Sequence, residues 1–233
     1  MNFSELNKFS ITSDFLKKIS KLDYYKCNFE HKKKIEKNKK IQEELFIPKY
    51  NDTLFWCYYI LINSIGDYEM VGSDFKEEKM VKISLIQTIR ENKEILKKFK
   101  IKRTEVEDDL LNKKTISVKT FFILCFLKGI NIIIKDDVKF LENINNDKKV
   151  EIIEKQGTKY GLFVGNKEKK IEKCRETCWK IDGFDFSKAL RSLSYYKLKN
   201  LQDICKKLNI ITEKDGKKLR KKDLYNELLL KLN

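Results

Sequence analysis

The chain has few of the residues that most catalytic and nucleotide-binding sites require. Its 233 residues include one histidine, His31, one proline, Pro48, and eight glycines. A nucleophilic side chain needs a nearby base, most often histidine, and zinc sites draw on histidine or on paired cysteines. Neither G-x-x-x-x-G-K-[ST] nor G-x-G-x-x-G occurs, so no glycine-rich loop is present to hold a nucleotide phosphate. We therefore expect no enzyme activity, no cofactor and no metal site.

Long apolar runs are also missing. No stretch approaches the ~18 consecutive apolar residues of a membrane-spanning helix, and residues 1–6 do not open a secretory signal. The six cysteines are scattered, and Cys57 and Cys125 lie inside apolar runs, which is typical of buried thiols in a reducing compartment. We expect an intracellular protein that does not contact membranes.

Positive charge is concentrated at the two ends of the chain. The net charge is +16; residues 195–233 carry 11 Lys or Arg against 5 acidic residues, and residues 1–50 carry 12 against 7. Of the 51 basic residues 46 are lysine, and an A/T-rich genome would favour lysine in the same way. Since arginine is the better reader of bases, lysine-rich ends favour nonspecific contact with a phosphate backbone.

Composition and periodicity divide the chain into three predicted parts. Residues 1–50 form a basic helical segment, residues 51–183 an α+β body, and residues 184–233 a linker followed by a small helical domain. The lysine run beside His31 is either a solvated helix face or a phosphate-binding patch.

Helical patterns fill the first half of the body. Asp52 or Thr53 caps a helix that is apolar nearly all round, which predicts a buried core helix. A long charged helix is predicted from about Ser73 to Phe99, with Phe75 and Ile83 among its buried residues. Further signals are a capping box over 104–107, a cap at Ser117 and a helix stop at Gly129.

From Ile130 the period changes to that of extended strands. Four β-rich runs are separated by short polar connections: 131–134, 138–141, 150–153 and 159–164. Short connections favour antiparallel pairing, so we predict an antiparallel meander of about four strands. The charged stretch from Asn166 to Lys188 is predicted to be a linker packed on the body.

The last forty residues have a pattern that indicates a function. Apolar residues at helical spacing predict a first helix over roughly 198–208, and Asp215-Gly216 is a turn signal. A second helix follows, entered through five basic residues. Its apolar face is formed by Leu219, Leu224, Leu228, Leu229 and Leu232.

This order resembles the SAP and helix-extended-helix modules, which also occur in the N-terminal region of the Rho terminator. The residues that carry the resemblance are Leu201, Leu208, Gly216, Lys217, Lys218, Lys222 and Leu224. The resemblance covers about a sixth of the chain. In two respects the chain departs from the family: Asn209 stands where glycine is usual, and the segment from Lys217 to Asp223 is longer than in a minimal module.

The resemblance implies contact with nucleic acid, with duplex DNA expected through its phosphates. The predicted phosphate contacts are Lys206, Lys207, Lys217, Lys218, Arg220, Lys221 and Lys222. Leu201, Leu208, Leu224 and Leu228 are expected to form the small core that positions them.

The order of elements in the body resembles that of papain-like and OTU-like cysteine peptidases. In those folds a cysteine-bearing helix comes first and the histidine base arrives on a later strand, here near Lys159-Tyr160. No histidine follows His31, and burial between Trp56 and Tyr58 would raise the pKa of the Cys57 thiol. Cys57 is therefore a candidate only for a degenerate site.

Five segments spread along the chain are similar to uncharacterised proteins of large nucleocytoplasmic DNA viruses. They are 52–60, 89–93, Thr120-Phe121 with Cys125, 179–181 and 193–197. The similarity implies a viral protein located in the host cytoplasm or the virion, and it transfers no activity.

Three hypotheses follow. The first is a non-enzymatic, nonspecific DNA-binding or tethering protein whose body docks a protein partner. The second is a virion structural, minor capsid or interaction protein whose terminal helices bind protein. The third is a degenerate cysteine-peptidase fold kept as a binding module. The first hypothesis predicts binding of duplex DNA that weakens steeply with added salt, which the other two do not predict.

Overall fold

A computed structural model describes residues 45–214 and 217–232. The predicted N-terminal helix, the lysine run with His31 and Cys27 lie outside these residues. The helices are α1 (Thr53–Ile62), α2 (Ile65–Glu69), α3 (Asp74–Glu91), α4 (Lys93–Lys98), α5 (Arg103–Leu111), α6 (Val118–Leu127), α7 (Lys167–Thr177), α8 (Leu198–Lys207) and α9 (Lys221–Leu232). The strands are β1 (Leu45–Phe46), β2 (Asn131–Asp136), β3 (Lys139–Asn143), β4 (Val150–Gln156), β5 (Lys159–Phe163), β6 (Trp179–Lys180), β7 (Glu213–Lys214) and β8 (Lys217–Lys218).

Helix α1 lies at the centre of the core. Its ten residues carry no charge, and the eight from Thr53 to Ile60 are buried. Of the two predicted caps, Asp52 is the one observed, and its side chain accepts the N–H of Phe55 at 3.2 Å. Helix α1 packs against α6 and β5. Within the described ranges, no helix combines the length and apolarity that crossing a bilayer requires.

The caps predicted for α6 are confirmed. Ser117 Oγ accepts the N–H of Thr120 at 3.2 Å at the start of the helix. Gly129 follows the helix with φ of 63°, a left-handed backbone conformation that glycine adopts without steric cost. Helix α5 instead begins at Arg103, one residue before the predicted cap Thr104, and no side chain caps it.

A six-stranded mixed sheet confirms the predicted α+β fold. Its strand order is β1-β5-β4-β2-β3-β6, and β2 to β5 lie where strands were predicted. The β2–β3 and β4–β5 pairs are antiparallel hairpins. Strands β2 and β4, however, pair in parallel from Asn131↔Val150 to Asp136↔Lys155. The prediction of an antiparallel meander is therefore wrong for one pairing, because the two hairpins meet through the parallel strands β2 and β4.

The chain reaches this parallel pairing by crossing the start of β2. Residues 144–149 connect β3 to β4 and are held there by the buried Asn131 side chain. Its Nδ2 donates to the carbonyls of Asn146 and Lys148, both at 2.8 Å, and its Oδ1 accepts the N–H of Asn145 at 2.9 Å. Residues 144–149 have to span only two inter-strand spacings of about 4.8 Å each, which six residues can do. A short connection therefore also permits parallel pairing.

Two short strands extend the sheet at its edges and were not predicted. Strand β1 pairs with β5, and β6 runs parallel to β3. A Cβ atom at Gly161 would lie 2.8 Å from Cγ of Leu45, so glycine is needed for β1 to approach this closely.

The long helix predicted from Ser73 to Phe99 is two helices. Asn92, with φ of −110° and ψ of 45°, separates α3 from α4. Ile86 is buried as predicted, and Leu85 and Ile89, which were not predicted, are buried beside it, but Phe75 and Ile83 are 73% and 53% exposed. The expectation that these two are buried is wrong, because apolar residues lie on both sides of this helix and only one side packs.

The predicted linker from Asn166 to Lys188 contains a helix and a strand. Asn166 caps α7 by accepting the N–H of Lys169 at 3.2 Å. Helix α7 covers the sheet face opposite α1, where its Cys174 packs with Ile133 and Phe140. Charged residues also hold α7 to the sheet, including the Lys170–Glu154 pair at 2.8 Å.

A buried carboxylate joins α5 to the start of α6. Asp109 accepts the N–H of Ser117 at 3.1 Å and the hydroxyl of Thr120 at 2.6 Å, and it pairs with Lys113. Burial acts to raise the pKa of Asp109, but these hydrogen bonds outweigh it and the pKa is lowered. Asp109 therefore stays ionised and fixes the relative position of the two helices.

Candidate nucleic-acid interface

The C-terminal helices form a hairpin-linked pair with a buried leucine core. Helix α8 agrees with its predicted span to within one residue, and β7 and β8 follow as a short antiparallel hairpin. The N–H of Leu219 donates to the carbonyl of Thr212 at 3.0 Å, so Leu219 closes this hairpin instead of lying on α9. The buried residues are Leu201, Ile204, Cys205 and Leu208 from the first part and Leu224, Leu228 and Leu232 from α9.

Asn209 ends α8 in the manner of a glycine. Its φ is 53°, in the left-handed region. Its N–H donates to the carbonyl of Lys206 at 3.1 Å, and the N–H of Ile210 donates to that of Cys205 at 2.8 Å. These two bonds form a Schellman motif, in which asparagine is the usual substitute for glycine. The departure at Asn209 therefore leaves the backbone path of a glycine-terminated helix in place.

The structure divides the predicted phosphate contacts into two sets. Lys218, Arg220 and Lys222 are exposed and Lys221 is half-buried, and these four follow one another from β8 into the first turn of α9. We call them the α9 basic cluster. Lys217 lies in β8 beside them. The second set, Lys206 and Lys207, lies in the last turn of α8.

The α9 basic cluster contributes no residue to the ion pairs among the described residues, whereas many basic residues of the body are paired. Within residues 45–214 and 217–232, every ion pair uses a lysine or arginine between Lys82 and Arg191. No member of the cluster pairs with a described carboxylate. The body thus neutralises much of its own positive charge, whereas the cluster leaves its charge open to an external anion.

The position of the cluster is unfavourable for the free helix. The N-terminus of a helix carries about half a positive charge, so each lysine in the first turn costs roughly 0.3–1 kcal/mol. One acid offsets this cost: Asp223 Oδ2 accepts the N–H of Arg220 at 3.3 Å. A phosphate bound here would be favoured by both the side chains and the helix dipole.

Lys206 and Lys207 have a sufficient structural explanation. Cations in the last turn of a helix are stabilised by the negative end of its dipole. Lys207 is half-buried near Cys178. The neighbouring Cys174 side chain, followed by the Thr177 hydroxyl and nearby cations that include Lys207, lowers the pKa of the Cys178 thiol. We therefore assign these two lysines a smaller part in anion binding than the α9 basic cluster.

The C-terminal end of α9 is fixed to the sheet by a residue that the sequence did not single out. Lys139 in β3 is buried, and its Nζ donates to the carbonyls of Phe186 at 2.9 Å and Leu232 at 2.5 Å. Tyr225 also donates from its hydroxyl to the carbonyl of Arg191 at 2.9 Å. These contacts hold the middle and the C-terminal end of α9 against the body.

No protein-family model, curated protein or solved structure matches the chain. The resemblances to SAP-like modules, to cysteine peptidases and to viral proteins stay predictions from the sequence. The case for a function therefore rests on the geometry of the described residues.

Cys57, the candidate for a degenerate site, is part of the core. Its side chain is fully buried, and its Sγ lies 3.8 Å from the carbonyl oxygen of Tyr160, to which the thiol donates. Burial, and then the nearby charge of Asp52, raise the pKa of this thiol far above its usual range. A thiol held in this way stays protonated and serves packing.

The other cysteines of the described residues are also free and buried: Cys125, Cys174, Cys178 and Cys205. Among the residues that the structure describes, no group of three or more histidine, cysteine or acidic side chains is arranged to hold a metal ion.

We predict that iodoacetamide does not modify Cys57 or Cys125 in the native protein at pH 8, because both thiols are buried and protonated. Peptide mass mapping before and after denaturation in urea measures the modification. Both cysteines should react once the chain is unfolded. Rapid labelling of Cys57 in the native chain, or its capture by a peptidase probe, would show an activated thiol and contradict this assignment.

Proposed function

We propose that the protein binds duplex DNA nonspecifically, through its phosphates, as a non-enzymatic binding or tethering protein. The α9 basic cluster supplies the main contacts, with Lys217, Lys206 and Lys207 beside it. One observation carries the proposal: the cluster is an unpaired set of cations at a helix N-terminus, while the cations paired in the described residues belong to the body.

Residue type supports contact with phosphates over readout of bases. Three of the four residues in the cluster are lysine, whose ammonium group acts as a point charge without the paired donors that recognise guanine. The proposed partner is therefore duplex DNA of any sequence. The proposed setting is the host cytoplasm or the virion, which the similarity to viral proteins implies.

The affinity of the full chain for duplex DNA should fall steeply with added salt. Each phosphate neutralised contributes about −0.9 to the slope of log K against log salt, so the four residues of the cluster alone contribute roughly −3.6. Fluorescence anisotropy on two labelled duplexes of unrelated sequence, titrated from about 50 to 200 mM salt, measures this slope. The two duplexes should give the same affinity. Binding that is absent at low salt, or that does not respond to salt, would overturn the proposal.

A further inference from the structure

An open groove lies between α3 and the end of α5. Its volume is about 730 Å³. Phe75, Lys79 and Ile83 line one side, and Leu111 and Lys114 line the other. We call it the α3–α5 groove.

Three apolar side chains of the groove are exposed. Phe75, Ile83 and Leu111 are 73%, 53% and 56% exposed. Phe75 and Ile83 lie eight residues apart on α3, with Lys79 midway between them, so they form one stripe along the helix. Exposed apolar side chains that lie together and are rimmed by polar groups occur at protein-binding surfaces.

Three charged side chains that line the groove, Glu78, Lys82 and Lys113, are already paired. Lys82 donates to Asp52 at 2.8 Å and to Glu78 at 2.7 Å, and Lys113 pairs with Asp109. A site for a small polar ligand would need convergent polar groups that are free, which these are not. An open, elongated apolar groove instead fits the apolar face of a helix.

The rim of the groove indicates the charge of that helix. Lys79 and Lys114 form no ion pair with any carboxylate between residues 45 and 232 that the structure describes, and Lys79 lies over the ring of Phe75 at 5.6 Å. Asp74 is the one rim carboxylate that is likewise unpaired there. The rim therefore has two unpaired cations and one unpaired carboxylate beside the apolar stripe. This excess of positive charge complements a partner helix that carries acidic residues on its flank.

We propose that the α3–α5 groove binds an amphipathic helix of a protein partner, with apolar residues facing the groove and acidic residues on its flank. This interaction goes beyond the proposed DNA binding, since it uses an exposed apolar stripe on α3 and not the α9 basic cluster. It gives the body the role of docking a protein while the C-terminal helices contact DNA.

A displayed library of random 16-residue peptides tests the proposal against the full chain. The library is first depleted on a Phe75→Ser/Ile83→Ser variant, which keeps the charge of the protein and so removes peptides bound by charge alone. Both replaced side chains are more than half exposed, so the variant should keep its melting temperature. Enriched peptides should carry apolar residues at helical spacing, flanked by Asp or Glu.

A synthetic copy of the most enriched peptide should bind the double variant at least about ten-fold more weakly than the unmodified chain. The matched control replaces two exposed apolar residues outside the groove, Met70→Ser/Leu230→Ser, and should bind the peptide normally. Lys79→Glu/Lys114→Glu should weaken binding of the acidic peptide and favour a version with lysine flanks.

Three outcomes would overturn the proposal: no enrichment after depletion, enriched peptides that lack acidic flanks, or equal loss of binding in the control. A dimer in sedimentation that disappears in the Phe75→Ser/Ile83→Ser variant would instead make a second copy of the chain the occupant. Replacing the α9 basic cluster with glutamine should leave peptide binding unchanged, so failure of the DNA proposal and failure of this one are distinguishable.

Discussion

Replacing Lys218, Arg220, Lys221 and Lys222 with glutamine should weaken duplex DNA binding by at least about 100-fold near 100 mM salt. The slope of log K against log salt should become shallower by roughly 3.6, since four phosphate contacts are lost. Salt-titrated anisotropy on the full chain measures both quantities.

Loss of binding in this variant is not expected to come from unfolding. Glutamine in the first turn of α9 removes positive charge from the positive end of the helix dipole, so α9 should be as stable as before or slightly more so. Deleting the C-terminal helices would be a poorer test. Leu224 and Leu228 are fully buried in the same core cluster as α1, and Lys139 binds the carbonyl of Leu232. The melting temperature should therefore be unchanged or higher in the glutamine variant.

The matched control removes the same charge from the body. Lys93, Lys97, Lys128 and Lys149 are exposed and lie outside the C-terminal helices. Replacing all four with glutamine should change the salt slope little. If both variants lost affinity equally, the total charge of the protein and not the α9 basic cluster would account for binding. A Lys206→Gln/Lys207→Gln variant should show a smaller loss than the cluster variant.

Local signals in the sequence predicted local structure well. Asp52 and Ser117 cap their helices because a short polar side chain there reaches a free N–H in the first turn. Gly129 adopts the left-handed backbone at a helix end, and the four predicted β-rich runs are strands. Each of these features is decided by residues within a few positions of one another.

Features that join distant residues could not be predicted in this way. The parallel pairing of β2 with β4 depends on Asn131 holding the connection that crosses β2. The burial of Lys139 depends on two carbonyls, one of them in α9 at Leu232. The exposure of Phe75 depends on which side of α3 meets α5. In each case the local pattern permits more than one arrangement, and packing selects among them.

The candidate site is divided in the same way. Basic residues of the C-terminal stretch were identified from the sequence, because charge and spacing are visible there. Whether each basic residue forms an ion pair could not be predicted from the sequence. The structure shows that Lys82 and Lys170 are paired with a carboxylate, while Arg220 and Lys222 have no such partner among the described residues. The α3–α5 groove was missed because Phe75 and Ile83 fit the pattern of a buried helix face.

Replacing Asp52 with alanine should destabilise the fold by about 3–5 kcal/mol, because it removes the acceptor of two buried backbone N–H groups and leaves the buried Lys82 ammonium with only the partly exposed Glu78 as its partner. Asp52 is fully buried. Its carboxylate accepts the N–H of Phe55 at 3.2 Å, the N–H of Ile116 at 3.0 Å and the ammonium of Lys82 at 2.8 Å. One side chain thus ties the start of α1 to α3 and to the segment before α6. Urea unfolding followed by tryptophan fluorescence measures the change.

Two further variants separate the causes of this loss. Asp185→Ala also removes an aspartate that accepts a backbone N–H, from Ser187 at 3.0 Å, but in an exposed turn, and should cost less than about 1 kcal/mol. Adding Lys82→Met to Asp52→Ala should recover at least about 1 kcal/mol, since the buried ammonium that keeps only the partly exposed Glu78 as its partner is then removed. If Asp52→Ala cost no more than Asp185→Ala, the buried pair would not hold the helices together.

The consequence of losing Asp52 should also differ between the two proposed binding surfaces. Lys82 lines the floor of the α3–α5 groove, so its release from Asp52 alters the position of α3 and with it the stripe formed by Phe75 and Ile83. The α9 basic cluster is positioned instead by the leucine core of the C-terminal helices and by Lys139. At temperatures where the variant is still folded, Asp52→Ala should therefore weaken peptide binding while the DNA salt slope stays the same. If Asp52→Ala weakened peptide binding and DNA binding equally, both surfaces would depend on the stability of one cooperative unit. The local position of α3 would then not explain the loss of peptide binding.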